Sequence, residues 1–150
     1  MKDANKVQGA DLGAIFDAHV RHEFVDHDVT ATIPTLTGGD GNASVRDFYK
    51  QHFVGKMPAD TRIEQISRTV SKDQVVDELI VQSLPGIPPT GRKVAVPHVV
   101  VMKFEGDKIT RQHINWDQGC VLAQIGLLDP KKLPVTGAPQ AEALLKKSKR

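Results

Sequence analysis

Three polar residues alternate with apolar ones near the end of the chain: His113, Asn115 and Asp117 are separated by Ile114 and Trp116. This alternation is typical of a β-strand with one polar face. Histidine and carboxylate side chains on one face can take up and release protons, so this face is a candidate for acid–base chemistry. The same alternation is equally typical of the solvated side of an edge strand, so spacing alone leaves both interpretations open.

The segment before these residues predicts the strand with which they pair. Gly106-Asp107 fits a two-residue hairpin loop between strands 94–104 and 108–117. If the strands pair regularly from this turn, one face carries apolar residues near the turn and polar residues farther along. That face comprises Phe104, Ile109, Met102, Val100, His98, His113, Asn115 and Asp117, and the opposite face carries Val99, Val101, Ile114 and Trp116. Apolar packing that grades into a polar cluster is typical of the wall of a pocket.

His98 has a second interpretation, because its predicted strand is apolar on both faces. A buried histidine that is hydrogen-bonded within the core is a more ordinary role for it than catalysis.

A second hairpin is predicted from strands 62–70 and 75–82. In it Arg68 lies opposite Asp77, which predicts an ion pair on an exposed face. Glu78 falls on the other face among apolar neighbours, either at the rim or inside a cavity. Inside a cavity the pKa of its carboxyl group would rise, which suits acid–base chemistry.

Along the chain, helices are predicted before and after these strands. The first begins at Asp11 and ends near Val25, with an apolar stripe of Leu12, Ile15, Phe16, Val20 and Phe24. The second begins at Ser44 as its cap and ends before Pro58, with Val45, Phe48, Tyr49 and Phe53 on its apolar face. A short apolar helix follows Asp117 and ends near Pro130. The order of helix, helix and antiparallel strands predicts an α+β domain with helices packed on one face of a sheet.

Composition excludes several classes of protein. The 150 residues suit one domain, and 39% hydrophobic with 25% charged residues is a globular composition. Residues 137–150 hold four of the 20 basic residues and one of the 18 acidic ones, so the remaining body has 16 bases and 17 acids. A near-neutral body argues against nucleic-acid binding, which needs a basic face.

The longest apolar run, 99–102, is too short to cross a membrane, and the N-terminus lacks the apolar region of a signal peptide. A cytoplasmic protein is therefore expected. The single cysteine, Cys120, excludes an internal disulfide framework. His19 and His22 could share a helix face, but no third ligand accompanies them, so no metal is expected.

Several segments resemble SnoaL-like proteins of the nuclear-transport-factor-2-like superfamily. They are Pro-Thr-Leu-Thr-Gly-Gly at 34–39, Pro-Pro-Thr-Gly-Arg at 88–92, His-Ile-Asn-Trp-Asp-Gln at 113–118 and Gln-Ile-Gly-Leu-Leu-Asp-Pro at 124–130. The resemblance covers about residues 11–137, which leaves 1–10 as a disordered N-terminus and 138–150 as a basic C-terminal tail. It implies an α+β cone in which a curved antiparallel sheet wraps around N-terminal helices, with a pocket at one end.

Members of this superfamily include polyketide cyclases, steroid isomerases, dehydratases and epoxide hydrolases, beside small binding proteins. Their enzymes commonly use a carboxylate, or a histidine–carboxylate pair, in an apolar cavity without metal or organic cofactor. Carried over by strand position, Asp117 and His113 would be that pair. Asn115 departs from the pattern, because close relatives often carry tyrosine there.

The resemblance thus implies a cofactor-independent acid–base enzyme of cyclase or isomerase type that acts on an apolar carbonyl compound. Residues expected to contact or enclose this compound are Glu78, Asn115, His98, Tyr49, Phe48, Phe16 and Trp116. The alternative is a non-catalytic module of the same fold that binds an apolar or aromatic ligand or serves as a dimeric interaction domain.

A homodimer is expected through the outer sheet face, because two apolar faces on strand 94–104 need two covers. Val99, Val101, Ile114 and Trp116 would lie at that contact.

Compared with the family, the chain is short between Ala31 and Pro34 and between Ser83 and Leu84. Either these are real deletions, or loops are missing from the numbered sequence and the Cα spacing there exceeds about 3.8 Å.

Overall fold

The computed structural model describes residues 6–8, 25–32, 38–83, 91–133 and 138–148. The strands are β1 (Lys6–Gln8), β2 (Val25–Thr32), β3 (Gly38–Asp40), β4 (Arg62–Val70), β5 (Gln74–Gln82), β6 (Ala95–Glu105) and β7 (Lys108–Trp116). The helices are α1 (Asn42–His52), α2 (Gln118–Ile125) and α3 (Pro139–Ser148). The strands form one sheet in the order β1-β4-β5-β6-β7-β2-β3, in which only the β2–β7 pair is parallel. The predicted α+β class is confirmed, with β4–β7 as its central antiparallel strands.

The apolar face predicted for α1 is the face that it buries. Val45, Phe48 and Tyr49 are each at most 5% exposed. The predicted cap is wrong, because the helix begins two residues before Ser44 and its N-cap is Gly41 at a φ of 78°. The Ser44 hydroxyl instead accepts a hydrogen bond from the backbone of the preceding strand.

Gly38 and Gly39, shortly before α1, belong to strand β3. A Cβ atom added to Gly39 would lie 2.5 Å from the backbone nitrogen of Val45. Glycine is therefore what allows β3 to lie against the first turn of α1.

Two apolar clusters place α1 and α2 on the same side of β6 and β7, which we call the inner face. The first cluster joins α1 to β7 and contains Val45, Phe48, Tyr49 and Ile109. The second joins α2 to β6 and contains Val94, Val96, Val121 and Ile125. Trp116 packs against both clusters, so it marks the point where the two helices approach each other.

A β-bulge interrupts the β6–β7 hairpin. Phe104 pairs with Ile109, whereas Lys103 pairs with Arg111, so Thr110 is an extra residue without a partner on β6. An extra residue reverses the direction of every side chain beyond it, because the side-chain period of a strand is two.

The predicted faces of β7 are consequently wrong beyond the bulge. Ile114 and Trp116 lie on the inner face, opposite Val100 and His98. His113 lies on the other side, opposite Val101, and Asn115 lies opposite Val99; we call this side the outer face.

The two ends of the chain also differ from expectation. Residues 6–8, expected within a disordered N-terminus, form β1 and pair with β4. The region 138–150, expected as a basic tail, contains α3, which contacts β4 and β6 and buries Ala141 to 1% exposure.

Some predictions fall outside the described residues. They are the first helix up to residue 24, including Phe16, and the Cα spacing between Ala31 and Pro34 and between Gln82 and Pro85, which extends into the undescribed residues 33–37 and 84–90. Residue 25, expected as the end of that helix, begins β2. Among the described residues, no helix has the length and apolar character needed to cross a membrane.

Candidate functional site

Buried polar side chains gather on the inner face. Asp77, His98, Gln112 and Tyr49 are each at most 5% exposed. Asp77 pairs with Val100, and the residue two before Val100 on the same face of β6 is His98. Asp77 and His98 are therefore diagonal neighbours across β5 and β6, with Cβ atoms about 7 Å apart.

The hydrogen bond of the His98 ring fixes which of its two nitrogens carries the proton. Its Nδ1 lies 2.9 Å from the carbonyl oxygen of Val96. A carbonyl only accepts, so Nδ1 carries the proton and Nε2 carries a lone pair. Burial lowers the pKa of His98 from 6.5 to about 4, an effect that the Val96 carbonyl partly opposes. The ring is consequently neutral at pH 7 and presents Nε2 as a hydrogen-bond acceptor.

Apolar residues flank His98 on the two neighbouring strands. The ring of Trp116 lies 5.2 Å from that of His98 at an angle of 31°. Leu79 pairs with His98 from the other neighbouring strand, and both Leu79 and Trp116 are half-buried. Within the part of the chain that the structure describes, Nε2 has no hydrogen-bond partner.

Asp77 is fixed by two neighbours. Arg68 donates from Nε to Oδ1 over 2.6 Å and from Nη2 to Oδ2 over 2.7 Å. Gln65 donates to Oδ1 over 3.4 Å. The pairing of Arg68 with Asp77 confirms the prediction, but the expected exposed face is wrong for Asp77, whose side chain is 7% exposed. The hydrogen bond to Asp77 raises the pKa of Arg68, so the guanidinium group stays protonated.

A buried hydrogen bond between Tyr49 and Gln112 connects α1 to the inner face of β7. The Tyr49 hydroxyl donates to Oε1 of Gln112 over 2.5 Å. Burial raises the pKa of Tyr49 above its ordinary value, so the phenol remains a donor. Phe48, predicted to enclose the ligand, packs edge-on against Tyr49 in the core. Gln112 was missed by the sequence analysis, because a regular hairpin places it on the outer face.

The predicted catalytic pair is not brought together. His113 and Asp117 are both exposed, and residues four apart on a strand are separated by about 13 Å, which is too far for a hydrogen bond. The Asp117 carboxylate accepts from the backbone N–H of Cys120 over 3.1 Å and thereby caps α2. Asn115, predicted to position substrate, is exposed on the outer face.

Glu78 also lies outside the inner face. It pairs with Ser67, whose hydroxyl donates to its carboxylate over 3.1 Å. Val99 pairs with it on the other side, which places Glu78 on the outer face. Of the residues predicted to contact a ligand and described by the structure, the inner face therefore holds His98, Tyr49, Phe48 and Trp116.

The strand order and the packing of α1 and α2 on the inner face define an α+β protein of the nuclear-transport-factor-2-like, or ketosteroid isomerase-like, fold. The family model of the SnoaL-like domain matches residues 7–112, which is more than half of the chain, so the protein belongs to the SnoaL-like family. The predicted resemblance is confirmed.

Solved structures agree on the fold. A protein described as a SnoaL-like polyketide cyclase from Jannaschia sp. CCS1 is 17% identical, with 86% of this chain and 99% of that chain covered and a TM-score of 0.61. A protein with a ketosteroid isomerase-like fold from Catenulispora acidiphila DSM 44928, in complex with trimethylamine, is 18% identical over 80% and 83% of the chains, with a TM-score of 0.56. An LEH-like epoxide hydrolase from M. tuberculosis is 11% identical over 77% of each chain, with a TM-score of 0.55.

These identities are low enough that the likeness establishes the fold alone. The fold is shared by proteins described as polyketide cyclases, isomerases and epoxide hydrolases, and by several of unknown function. No curated protein matches the chain at a significant level.

Proposed function

We propose that the protein binds a small, largely apolar compound on its inner face, and that His98 accepts a hydrogen bond from a hydroxyl or enol group of that compound. The observation that carries this proposal is the unpartnered Nε2 of a neutral, buried histidine. Little water reaches a residue that is 5% exposed, so a hydrogen bond to Nε2 favours a ligand that can donate over one that cannot.

The surroundings of His98 support an apolar or aromatic ligand. Half-buried Leu79 and Trp116 flank the ring in one row across the sheet. Apolar walls with a few polar groups are the common composition of a small-molecule site.

Paired probes test this proposal. 2-Naphthol and 2-methoxynaphthalene have similar apolar bodies, but only the first donates a hydrogen bond. Fluorescence titration is expected to give a threefold to tenfold preference for 2-naphthol, about the value of one hydrogen bond.

The variant His98→Asn removes Nε2 while its amide nitrogen still reaches the position of Nδ1, so the bond to Val96 is kept. This variant is expected to bind both probes equally. His113→Asn on the outer face is the matched control and keeps the preference. Equal binding of both probes by the unchanged protein, or loss of the preference in the control, would contradict the proposal.

Acid–base catalysis of cyclase or isomerase type is the second candidate, and the buried carboxylate of Asp77 beside His98 favours it. In this form Asp77, rather than Asp117, removes a proton next to the carbonyl of an apolar substrate, and the proton passes from the carboxyl group to water.

2-Tetralone in D₂O is a suitable probe, because its α-protons exchange for deuterium when a base removes them. NMR is expected to show exchange faster than in buffer, reduced at least about tenfold in Asp77→Asn and unchanged in Asp117→Asn. Exchange at the buffer rate would leave ligand binding as the proposed function.

A further inference from the structure

A cavity lies between α3 and one end of the sheet, where β4 and β6 begin and β5 ends. Its volume is about 520 Å³, within the range of small-molecule sites. Arg62, Gln82 and Ala95 form one row across β4, β5 and β6 and line its sheet side. The α3 segment lines the other side with residues that recur at helical spacing, namely Ala138, Glu142 and Leu145.

Side chains of both charges line this cavity but form no ion pairs with one another. Arg62 and Lys93 are cationic, and Asp60 and Glu142 are anionic. Across the described ranges, none of the four forms an ion pair within 4.0 Å. Two cations and two carboxylates around one cavity, each left unpaired, are complementary to a ligand that carries both charges.

Ser83, which contacts Asp60 in the lining of the cavity, has an unusual backbone conformation. Ser83 has a φ of 62°, the one positive value at a residue other than glycine in the described part of the chain. Its amide donates to Val94, its carbonyl accepts from the buried Thr61 hydroxyl, and its own hydroxyl donates to Asp60 over 3.1 Å. A costly conformation held by three contacts is characteristic of functional sites, and here it orients the Asp60 carboxylate.

We propose that this cavity binds a small zwitterion with an apolar side chain, of the size of an aromatic amino acid. Arg62 and Lys93 bind its carboxylate, and Asp60 and Glu142 bind its ammonium group. The apolar side chain packs on Leu145. No residue that lines this cavity belongs to the site proposed at His98, so the failure of one site and the failure of the other are separate results.

Three probes of one shape test the charge requirement. L-Phenylalanine carries both charges, 2-phenylethylamine only the ammonium, and 3-phenylpropionate only the carboxylate. Titration followed by backbone amide shifts in NMR is expected to give the tightest binding for L-phenylalanine, by about threefold to tenfold over each single-charge probe. The largest shifts are expected at residues 93–95 and 138–145.

Variants assign each charge to its partner. The double variant Arg62→Gln/Lys93→Gln is expected to weaken L-phenylalanine about tenfold but to leave 2-phenylethylamine unchanged. Glu142→Gln is expected to weaken L-phenylalanine about threefold and to leave 3-phenylpropionate unchanged. Lys72→Gln, on the exposed turn after β4, is the control and changes neither.

Two results would overturn the proposal. One is the absence of shifts in the cavity with L-phenylalanine up to about 10 mM. The other is a single-charge probe that binds as tightly as L-phenylalanine. Because His98→Asn alters only the inner face, it should leave binding of L-phenylalanine unchanged, and a loss there would place the amino acid on the inner face instead.

Discussion

The Tyr49 hydroxyl donates to the side-chain oxygen of Gln112 over 2.5 Å, and this bond joins α1 to the inner face of β7. Tyr49→Phe is expected to lower the free energy of unfolding by about 1–2 kcal/mol, because Gln112 stays buried and loses a donor. Urea denaturation measures the change. Ser71→Ala removes an exposed hydroxyl that donates to Gln74 over 3.3 Å, and it should cost less than about 0.5 kcal/mol. Equal costs would show that burial gives the Tyr49 bond no extra weight.

The ion pair between Arg68 and Asp77 allows a second prediction. Arg68→Met leaves a buried carboxylate without its two charged donors, and the expected cost is about 1–3 kcal/mol, reduced from a fully buried pair because the Arg68 side chain is 52% exposed. Arg68→Lys should restore little of it, since a single ammonium cannot donate to both oxygens in the same way. Lys103→Met breaks the exposed pair with Asp73 and serves as the control, with a change below about 0.5 kcal/mol. A cost for Arg68→Met no larger than the control would contradict the prediction.

Stability should depend on pH through His98. Its pKa is about 4 in the folded protein and 6.5 when unperturbed, so between these values the unfolded chain binds more protons. The free energy of unfolding therefore falls as the pH is lowered from 6.5 to 4, by about 3 kcal/mol if this residue acts alone. Denaturation curves across this range should show the decrease, and His98→Asn should remove it. An identical pH dependence in the variant would refute the assignment.

Local signals predicted the elements that depend on local chemistry. The apolar spacing of Val45, Phe48 and Tyr49 predicted the buried face of α1, and the turn at 106–107 predicted the last hairpin. The pairing of Arg68 with Asp77 followed from counting residues outward from a turn.

The bulge was missed, although the sequence carries a trace of it. Ile109 and Ile114 are five residues apart, which places them on opposite faces of a regular strand, yet both pack with the α1 cluster. An extra residue at Thr110 reconciles the two. A regular strand that is apolar on both faces would show the same spacing of isoleucines as a bulged strand with one apolar face. The sequence alone therefore does not decide between a regular and a bulged strand.

The candidate site depends in part on features that only the packed structure provides. The burial of His98 was predicted, because its strand is apolar on both faces, whereas no local pattern predicts the burial of Asp77. Asp117 is different, because an aspartate directly before an apolar helix is itself the signal of an N-cap. That signal was available in the sequence and favours the role that the structure gives to this residue.

The outer face leads to a prediction about assembly. Val99 is 42% exposed and Val101 is half-buried, and both lie on this face, whereas Ile114 and Trp116 do not. A homodimer through the outer face stays a prediction, now resting on the two valines. Light scattering at micromolar concentration should give the mass of two chains, and Val99→Lys should shift it toward one chain because a buried charge opposes the contact. Val70→Lys, at the end of β4 and 66% exposed, should leave the mass unchanged. A single-chain mass for the unchanged protein would exclude the dimer at that concentration.

Two substitutions of Asp117 distinguish a structural role of this residue from a catalytic one. Its carboxylate accepts from the Cys120 amide at the start of α2, so Asp117→Ala should lower the free energy of unfolding by about 0.5–2 kcal/mol. Asp117→Asn keeps a capping oxygen and should restore most of that stability, while it removes the capacity to take up a proton at this position. If the residue is only a cap, the asparagine variant also keeps 2-naphthol binding and any deuterium exchange of 2-tetralone. An asparagine variant that is as stable as the unchanged protein but has lost exchange activity would return Asp117 to the catalytic site, despite its exposure.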